Sequence, residues 1–94
     1  MLTLPIKMQW FDLIASGEKL EEYRSNNAYY DARFEKYAGT QIQICLRNGY
    51  SKNSPSLICS VIPEKRNGAR KEWGGNPEEI YWVLKILSVE RVML

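Results

Sequence analysis

The chain has 94 residues, a formal net charge of +2 at pH 7 and no histidine. This length predicts one domain spanning residues 1–94, and the weak positive charge permits contact with nucleic acid without arguing for it. The lack of histidine excludes a histidine-based catalytic triad, a histidine general base and the usual histidine-containing zinc sites.

The N-terminal half of the sequence changes repeatedly between strand and helix patterns. Pro5 has no N–H, so the first strand is expected to lie at a sheet edge or to end at this residue. Trp10, Leu13 and Ile14 have the spacing of an amphipathic helix, and Gly17 follows where helices commonly end. The predicted elements are a strand at residues 2–6, a helix at 9–16, an extended segment at 19–24 and a helix at 29–37.

The C-terminal half contains strand patterns separated by polar turns. Q-I-Q-I-C-L-R alternates in hydrophobicity, and the β-branched and aromatic residues of Y-W-V-L-K-I-L-S-V favour a strand over a helix. The predicted strands are residues 41–47, 56–62 and 79–92, with loops at 48–56 and 63–77. This order predicts an α+β fold, in which helices cover the ends of a small, curved, barrel-like antiparallel or mixed sheet.

The cysteine content and the apolar runs indicate the cellular setting. Cys45 and Cys59 form no C-x-x-C motif, which favours two small strand residues in a reduced, cytoplasmic protein. The N-terminal M-L-T-L-P-I-K lacks the pattern of a signal peptide, and no apolar run approaches the ~20 residues of a membrane helix. We therefore expect no membrane partner, and no cofactor or metal.

The segment S-G-E-K-L-E-E-Y-R concentrates charge directly behind the first helix. In a strand, Glu22 and Arg24 share a face with Leu20, and Lys19 can join them from the turn. Two cations flanking a carboxylate suit recognition of a phosphate together with the edge of a base. The alternative is an exposed strand whose salt bridge contributes ~0–1 kcal/mol.

The same segment carries a resemblance to a known family. Gly17, Lys19, Glu22 and Arg24 match all four fixed positions of G-x-K-x-x-E-x-R, the signature of the ASCH domain family in the PUA-like superfamily. The preceding K-x-x-W-F-D-L-I-x-S-G and the later R-N-G-Y-S and E-W-G also resemble a compact bacterial or phage-type member. The resemblance covers most of the chain.

The resemblance implies a fold and several activities. The fold would be a PUA-like sheet or barrel of about five strands, with two to three helices at its ends and a cleft lined by the motif. The family is associated with binding of RNA, some members hydrolyse RNA, and an amidohydrolase branch deacetylates modified cytidine with G-x-K-x-x-T-x-R. Here Glu22 replaces the threonine, so the hydroxyl nucleophile of that branch is missing. Lys19 and Glu22 remain the candidate acid/base groups.

Two loops offer further binding residues. Arg47 and Lys52 could contact phosphate while Tyr50 stacks on a base, or the segment is a polar hairpin loop turned at Asn48-Gly49. In the second loop, K-R-N-G-A-R-K-E-W could be a mobile basic arm, or a solvated loop whose Trp73 plugs the barrel mouth.

The aromatic residues outside these loops also have two interpretations. Tyr29, Tyr30, Arg33 and Phe34 form either a stacking platform beside the motif or, as helix-spaced aromatics more often do, part of the core. We assign Trp10 and Trp82 to the core.

Three functions are therefore compatible with the sequence. The first is a module that binds RNA or a nucleotide-like molecule in a cleft built from Lys19, Glu22 and Arg24, with Arg33, Arg47, Tyr50 and Lys52 as further binding residues. The second is a small hydrolase that uses Lys19 and Glu22 on RNA or a modified nucleoside. The third is a protein-interaction module, in which the edge near Pro5 or the basic loop docks a partner and the motif is structural.

Overall fold

The structure is a computed structural model that describes residues 1–92. Its order of elements is the predicted one: strand, helix, strand, helix and then three strands. The elements are β1 (Leu2–Pro5), α1 (Met8–Ala15), β2 (Glu21–Ser25), α2 (Ala28–Phe34), β3 (Ile42–Arg47), β4 (Ser56–Arg66) and β5 (Tyr81–Arg91), with 3-10 turns at Glu35–Tyr37 and Lys71–Trp73.

The five strands form one mixed sheet in the order β1-β3-β4-β5-β2. Strand β1 is parallel to β3, and the other neighbouring pairs are antiparallel. The sheet curves into a half-barrel with two α-helices, which confirms the predicted α+β fold. Pro5 ends β1, an edge strand, as its missing N–H predicts.

The core lies between the sheet and the two helices. Helix α1 contributes Phe11 and Ile14 to it, α2 contributes Phe34, and the sheet contributes Trp82 at 2% exposure. The assignment of Trp82 to the core is therefore confirmed. Cys45 and Cys59 are buried and unbridged on β3 and β4, as small strand residues. Within residues 1–92, no helix has both the length and the apolarity needed to cross a bilayer.

Strand β4 is longer than predicted, because it continues through Pro63 to Arg66. The main-chain oxygen of Pro63 accepts a hydrogen bond from the N–H of Gly39, 2.9 Å away and outside β3. In an antiparallel ladder the N and O of one residue face the same side, so the missing N–H of Pro63 faces a position where no ladder partner is needed. The prediction of a loop from residue 63 was wrong for this reason.

Strand β5 contains an irregularity close to the motif. Ser60 pairs with Ser88 but Val61 pairs with Ile86, so Leu87 is an extra residue in β5. The N–H of Ile86 donates to the main-chain oxygen of Leu20 at 2.9 Å. This bond holds the residue between Lys19 and the start of β2 against the sheet.

Candidate functional site

A cleft of about 560 Å³ opens between the N-terminal part of α1, strand β2, the loop after β3 and the turn Lys71–Trp73. It brings together residues that lie far apart in the sequence. They are Pro5, Ile6, Lys7, Trp10, Lys19, Glu22, Tyr23, Arg24, Asn48, Gly49, Tyr50, Trp73 and Gly74.

Lys19 lies at the floor of this cleft and is 2% exposed. Gly17, with φ of 85°, turns the chain out of α1, and the N–H of Lys19 donates back to the main-chain oxygen of Leu13 at 3.0 Å. The ammonium Nζ donates to the main-chain oxygen of Trp73 at 2.7 Å and forms an ion pair with Glu22 Oε1 at 2.8 Å. Its position is therefore fixed by the turn on one side and by β2 on the other.

Glu22 and Arg24 share the inner face of β2, as their spacing predicts. Arg24 donates from Nε and Nη2 to Glu22 Oε2, at 3.1 Å and 2.8 Å. The Glu22 carboxylate thus lies between two cations, with one oxygen on each. Leu20 does not share this buried face, because it precedes β2 and is 52% exposed.

Arg24 also connects the two edges of the half-barrel. Its Nη2 donates to the main-chain oxygen of Pro5 at 2.7 Å, at the end of β1, and its Nη1 donates to Tyr30 Oη at 3.3 Å. Strands β1 and β2 are at opposite ends of the sheet order, so this side chain spans the open seam between them. The motif therefore has a structural role in addition to lining the cleft.

The cleft lining carries an excess of positive charge. Lys7, Lys19 and Arg24 are its cations and Glu22 is its one carboxylate within the residues that the structure describes. An excess cation beside low-dielectric walls favours an anionic or electron-rich ligand. No cluster of three or more histidine, cysteine, aspartate or glutamate side chains able to hold a metal occurs in the described part of the chain.

The walls of the cleft are largely aromatic. Trp10 is half-buried and its ring lies under Lys19 Nζ, with 4.2 Å between the ring centre and the nitrogen. Gly74 has φ of 88°, and a Cβ built on it would lie 2.8 Å from a ring carbon of Trp10, so only glycine fits there. Trp73 precedes it and lines the same cleft. The assignment of Trp10 to the core is corrected, because Trp10 packs on the core while its ring forms a wall of the cleft.

Tyr50 lines the cleft and is 100% exposed. The loop that presents it is held by hydrogen bonds from Asn48 N to Pro55 O at 2.9 Å and from Ser54 N to Ser51 O at 3.0 Å. An exposed aromatic ring on a hydrogen-bonded loop is available to cover a ligand.

Tyr23 joins the cleft to the loop that covers the outer face of β2. Its hydroxyl donates to Glu21 Oε1 at 2.8 Å and accepts from the N–H of Arg70 at 2.9 Å. Burial is the main reason why the pKa of Tyr23 is raised to about 12, and the neighbouring Glu21 carboxylate acts in the same direction. Tyr23 is therefore a neutral hydrogen-bonding group at physiological pH.

The structure places the other predicted binding residues outside the cleft lining. Arg33 donates to the main-chain oxygen of Tyr29 at 2.8 Å, and its guanidinium lies 3.4 Å from the centre of the Tyr29 ring. Arg47 donates to Ser56 Oγ at 3.1 Å. Lys52 is exposed on the same loop as Tyr50. Of the predicted residues, Lys19, Glu22, Arg24 and Tyr50 come together, whereas Arg33, Arg47 and Lys52 do not join them.

The aromatic residues of α2 divide between the two interpretations. Phe34 is fully buried in the core, and Tyr30 packs against that core while its hydroxyl contacts Arg24. Tyr29 is 54% exposed and does not line the cleft. Phe34 and Tyr30 therefore mainly stabilise the core, and Tyr29 adds no stacking surface to the cleft.

The glycine-rich loop after β4 is docked on the body of the protein. Lys19 Nζ donates to the main-chain oxygen of Trp73, and the Tyr23 hydroxyl accepts from the N–H of Arg70. Within the loop, the N–H of Gly75 donates to the main-chain oxygen of Arg70 at 3.0 Å. Trp73 forms a wall of the cleft, a position similar to the one predicted for it as a plug of the barrel mouth.

Lys7 also lines the cleft and was not among the predicted binding residues. It lies three residues before Trp10, a spacing that places both side chains on one side of a helix start. This spacing was the available signal, but a lysine at such a position is usually only a surface charge. The cleft that Lys7 lines is completed by the turn 71–73, which comes from a distant part of the chain.

Comparison with known protein families, with curated proteins and with solved structures finds no match for this chain.

Proposed function

We propose that the chain binds RNA or a nucleotide, and that one nucleobase enters the cleft above Lys19, Glu22 and Arg24. The observation that carries the proposal is the combination of a cationic floor with the rings of Trp10, Trp73 and Tyr50 around a single cleft. Base–aromatic stacking and electrostatic attraction are the two interactions that single-stranded nucleic acids and nucleotides offer to proteins. The ASCH-like motif supports the same function, because its three charged residues line this cleft.

The size of the cleft supports one nucleotide as the bound unit. A volume of about 560 Å³ lies within the range of roughly 300–1,000 Å³ typical of small-molecule sites. The net charge of +2 is low for a protein that grips a long polyanion. A longer RNA would therefore be held mainly through one inserted nucleotide.

The experiment that tests this proposal replaces Tyr50 with alanine. Tyr50 is fully exposed, so Tyr50→Ala should leave the fold and melting temperature unchanged. Loss of stacking should weaken binding of a short single-stranded RNA or nucleoside monophosphate about fivefold or more, measured by calorimetric titration. The matched control is Tyr37→Ala, which removes an exposed tyrosine outside the cleft lining. Equal affinities for wild type and Tyr50→Ala would contradict the proposed role of Tyr50, and no binding by wild type would overturn the function itself.

Hydrolysis is the second candidate, because Lys19 Nζ and Glu22 Oε1 are 2.8 Å apart at the floor. In this arrangement Lys19 Nζ is held by Glu22 Oε1 and by the main-chain oxygen of Trp73, which leaves it one free donor for a substrate. The cleft lining within the described residues includes no serine or threonine to act as a nucleophile. Binding is therefore better supported than catalysis. Hydrolysis of RNA or of an acylated nucleoside by wild type, with loss in Lys19→Ala, would reverse this order.

A further inference from the structure

We infer, on the basis of the proposed function, that the cleft takes a nucleotide with its base inward and its phosphate at Lys7, so that the motif does not bind the phosphate. The inference gives a binding role to Lys7, which lines the mouth of the cleft and is exposed. It also predicts that a nucleotide binds more tightly than the corresponding nucleoside.

The cations of the floor have few hydrogen-bond donors left for a phosphate. A guanidinium has five N–H donors, and Arg24 uses four of them on Glu22, Pro5 O and Tyr30 Oη. An ammonium has three donors, and Lys19 uses two of them on Trp73 O and Glu22 Oε1. A phosphate group presents several strong acceptor oxygens, and the floor cannot satisfy them without giving up these contacts.

Burial also makes the floor of the cleft an unfavourable place for a phosphate. The side chains of Lys19, Glu22 and Arg24 are 2%, 7% and 10% exposed. A phosphate placed among them would lose most of its hydration, and it would lie beside the Glu22 carboxylate, which repels it. A nucleobase is neutral and planar, and it can use the remaining donors and the ring of Trp10 without this cost.

Lys7, in contrast, is an exposed cation in the cleft lining. No ion pair joins it to a carboxylate within residues 1–92, and Glu22 is the only acidic residue described in the cleft lining. The preceding residue is fixed, since Ile6 N donates to Arg47 O at 3.0 Å and Ile6 O accepts from Asn48 Nδ2 at 2.8 Å. Lys7 thus combines an exposed side chain with an anchored main chain at the cleft.

The test compares two classes of ligand, nucleosides and nucleotides, in three proteins. The four common ribonucleosides and their 5′-monophosphates are titrated into wild type, Lys7→Gln and Lys52→Gln, with affinities taken from calorimetry or NMR. Lys52 is the matched control, because it is exposed on the loop that carries Tyr50 but does not line the cleft. The variants should melt like wild type, since both lysines are exposed.

The expected result is that a monophosphate binds wild type about fivefold to tenfold more tightly than its nucleoside. Lys7→Gln should abolish this gain and leave nucleoside affinity unchanged, whereas Lys52→Gln should retain the gain. The gain should also shrink as salt is raised. A gain that survives in Lys7→Gln, or equal affinities of wild type for the two ligands, would overturn the inference alone. Failure of wild type to bind any of the eight ligands would overturn this inference together with the proposed function for free nucleotides.

Discussion

Each face of strand β2 has a glutamate that pairs with an arginine, Arg24 of the same strand on the inner face and Arg66 of β4 on the outer face, and the two pairs have different surroundings. On the inner face, Glu22 and Arg24 are 2.8 Å apart, with side chains 7% and 10% exposed. On the outer face, Glu21 and Arg66 are 2.6 Å apart, with side chains 18% and 35% exposed. The distances are alike, so burial and the number of additional partners distinguish the pairs.

The two pairs have the same chemistry, but they should differ in how much they stabilise the fold and the cleft. The inner pair includes a second cation, Lys19, and one hydrogen bond across the seam to Pro5, so its removal affects both β1 and the cleft. The outer pair is supplemented by Glu64 and Tyr23, but water reaches it and screens its charges. Removal of the inner pair should therefore disrupt the cleft, whereas removal of the outer pair should change the free energy of unfolding only slightly.

The largest effect is expected when the shared carboxylate of the inner face is removed. Glu22→Ala leaves Lys19 and Arg24 buried without their counter-charge, which should lower the free energy of unfolding by about 3–5 kcal/mol. Glu21→Ala on the outer face should lower it by at most about 1 kcal/mol. Urea denaturation of both variants measures the difference, and equal losses would show that burial does not separate the two pairs.

A smaller loss is expected when Arg24 keeps its charge but loses its planar shape. Arg24→Lys can remain paired with Glu22 but cannot also reach Pro5 O and Tyr30 Oη, so stability should fall by about 1–3 kcal/mol. Amide hydrogen exchange should increase in β1, whose end is no longer held across the seam. The control is Arg66→Lys on the outer face, which should change stability by less than about 1 kcal/mol. Unchanged hydrogen exchange in β1 would contradict the role of Arg24 in connecting the two edges of the sheet.

The smallest effect is confined to alkaline pH and concerns Tyr23. Burial raises its pKa from 10.0 to about 12, so the folded state keeps a proton that the unfolded state releases. Its contribution to stability is fully present below pH 10 and is lost as the pH rises towards 12. Denaturation curves between pH 9 and pH 12 should show this loss, and Tyr23→Phe should show a shallower one. A tyrosinate signal from Tyr23 that appears near pH 10 in wild type would contradict the account.

The pattern of elements could be predicted from the sequence because it depends on local periodicity. Helix α1 ends before Gly17, and the alternation of residues 41–47 defines β3, so both were recognisable. The length of β4 could not be predicted, since the tolerance of Pro63 depends on a hydrogen bond to Gly39 from a distant segment. Local spacing also brought Glu22 and Arg24 to one face of β2.

The composition of the cleft could be predicted only in part. Lys19, Glu22, Arg24 and Tyr50 were found through the motif and through a loop that offers an exposed ring. Arg33, Arg47 and Lys52 were included because of their charge, and charge alone does not indicate which cations a sheet brings together. Trp10 was assigned to the core because helix spacing does not reveal that the close approach of Gly74 makes its ring a wall of the cleft.

The most direct test of the central claim uses the three tryptophans of the chain, whose indole N–H groups give separate NMR signals. Trp10 and Trp73 line the cleft, whereas Trp82 is buried in the core and donates to Asp31 Oδ1 at 2.9 Å. Titration with nucleoside monophosphates should shift the signals of Trp10 and Trp73 and leave that of Trp82 unchanged. Binding that leaves the Trp10 and Trp73 signals unmoved would show that the ligand occupies another surface, and would contradict the account.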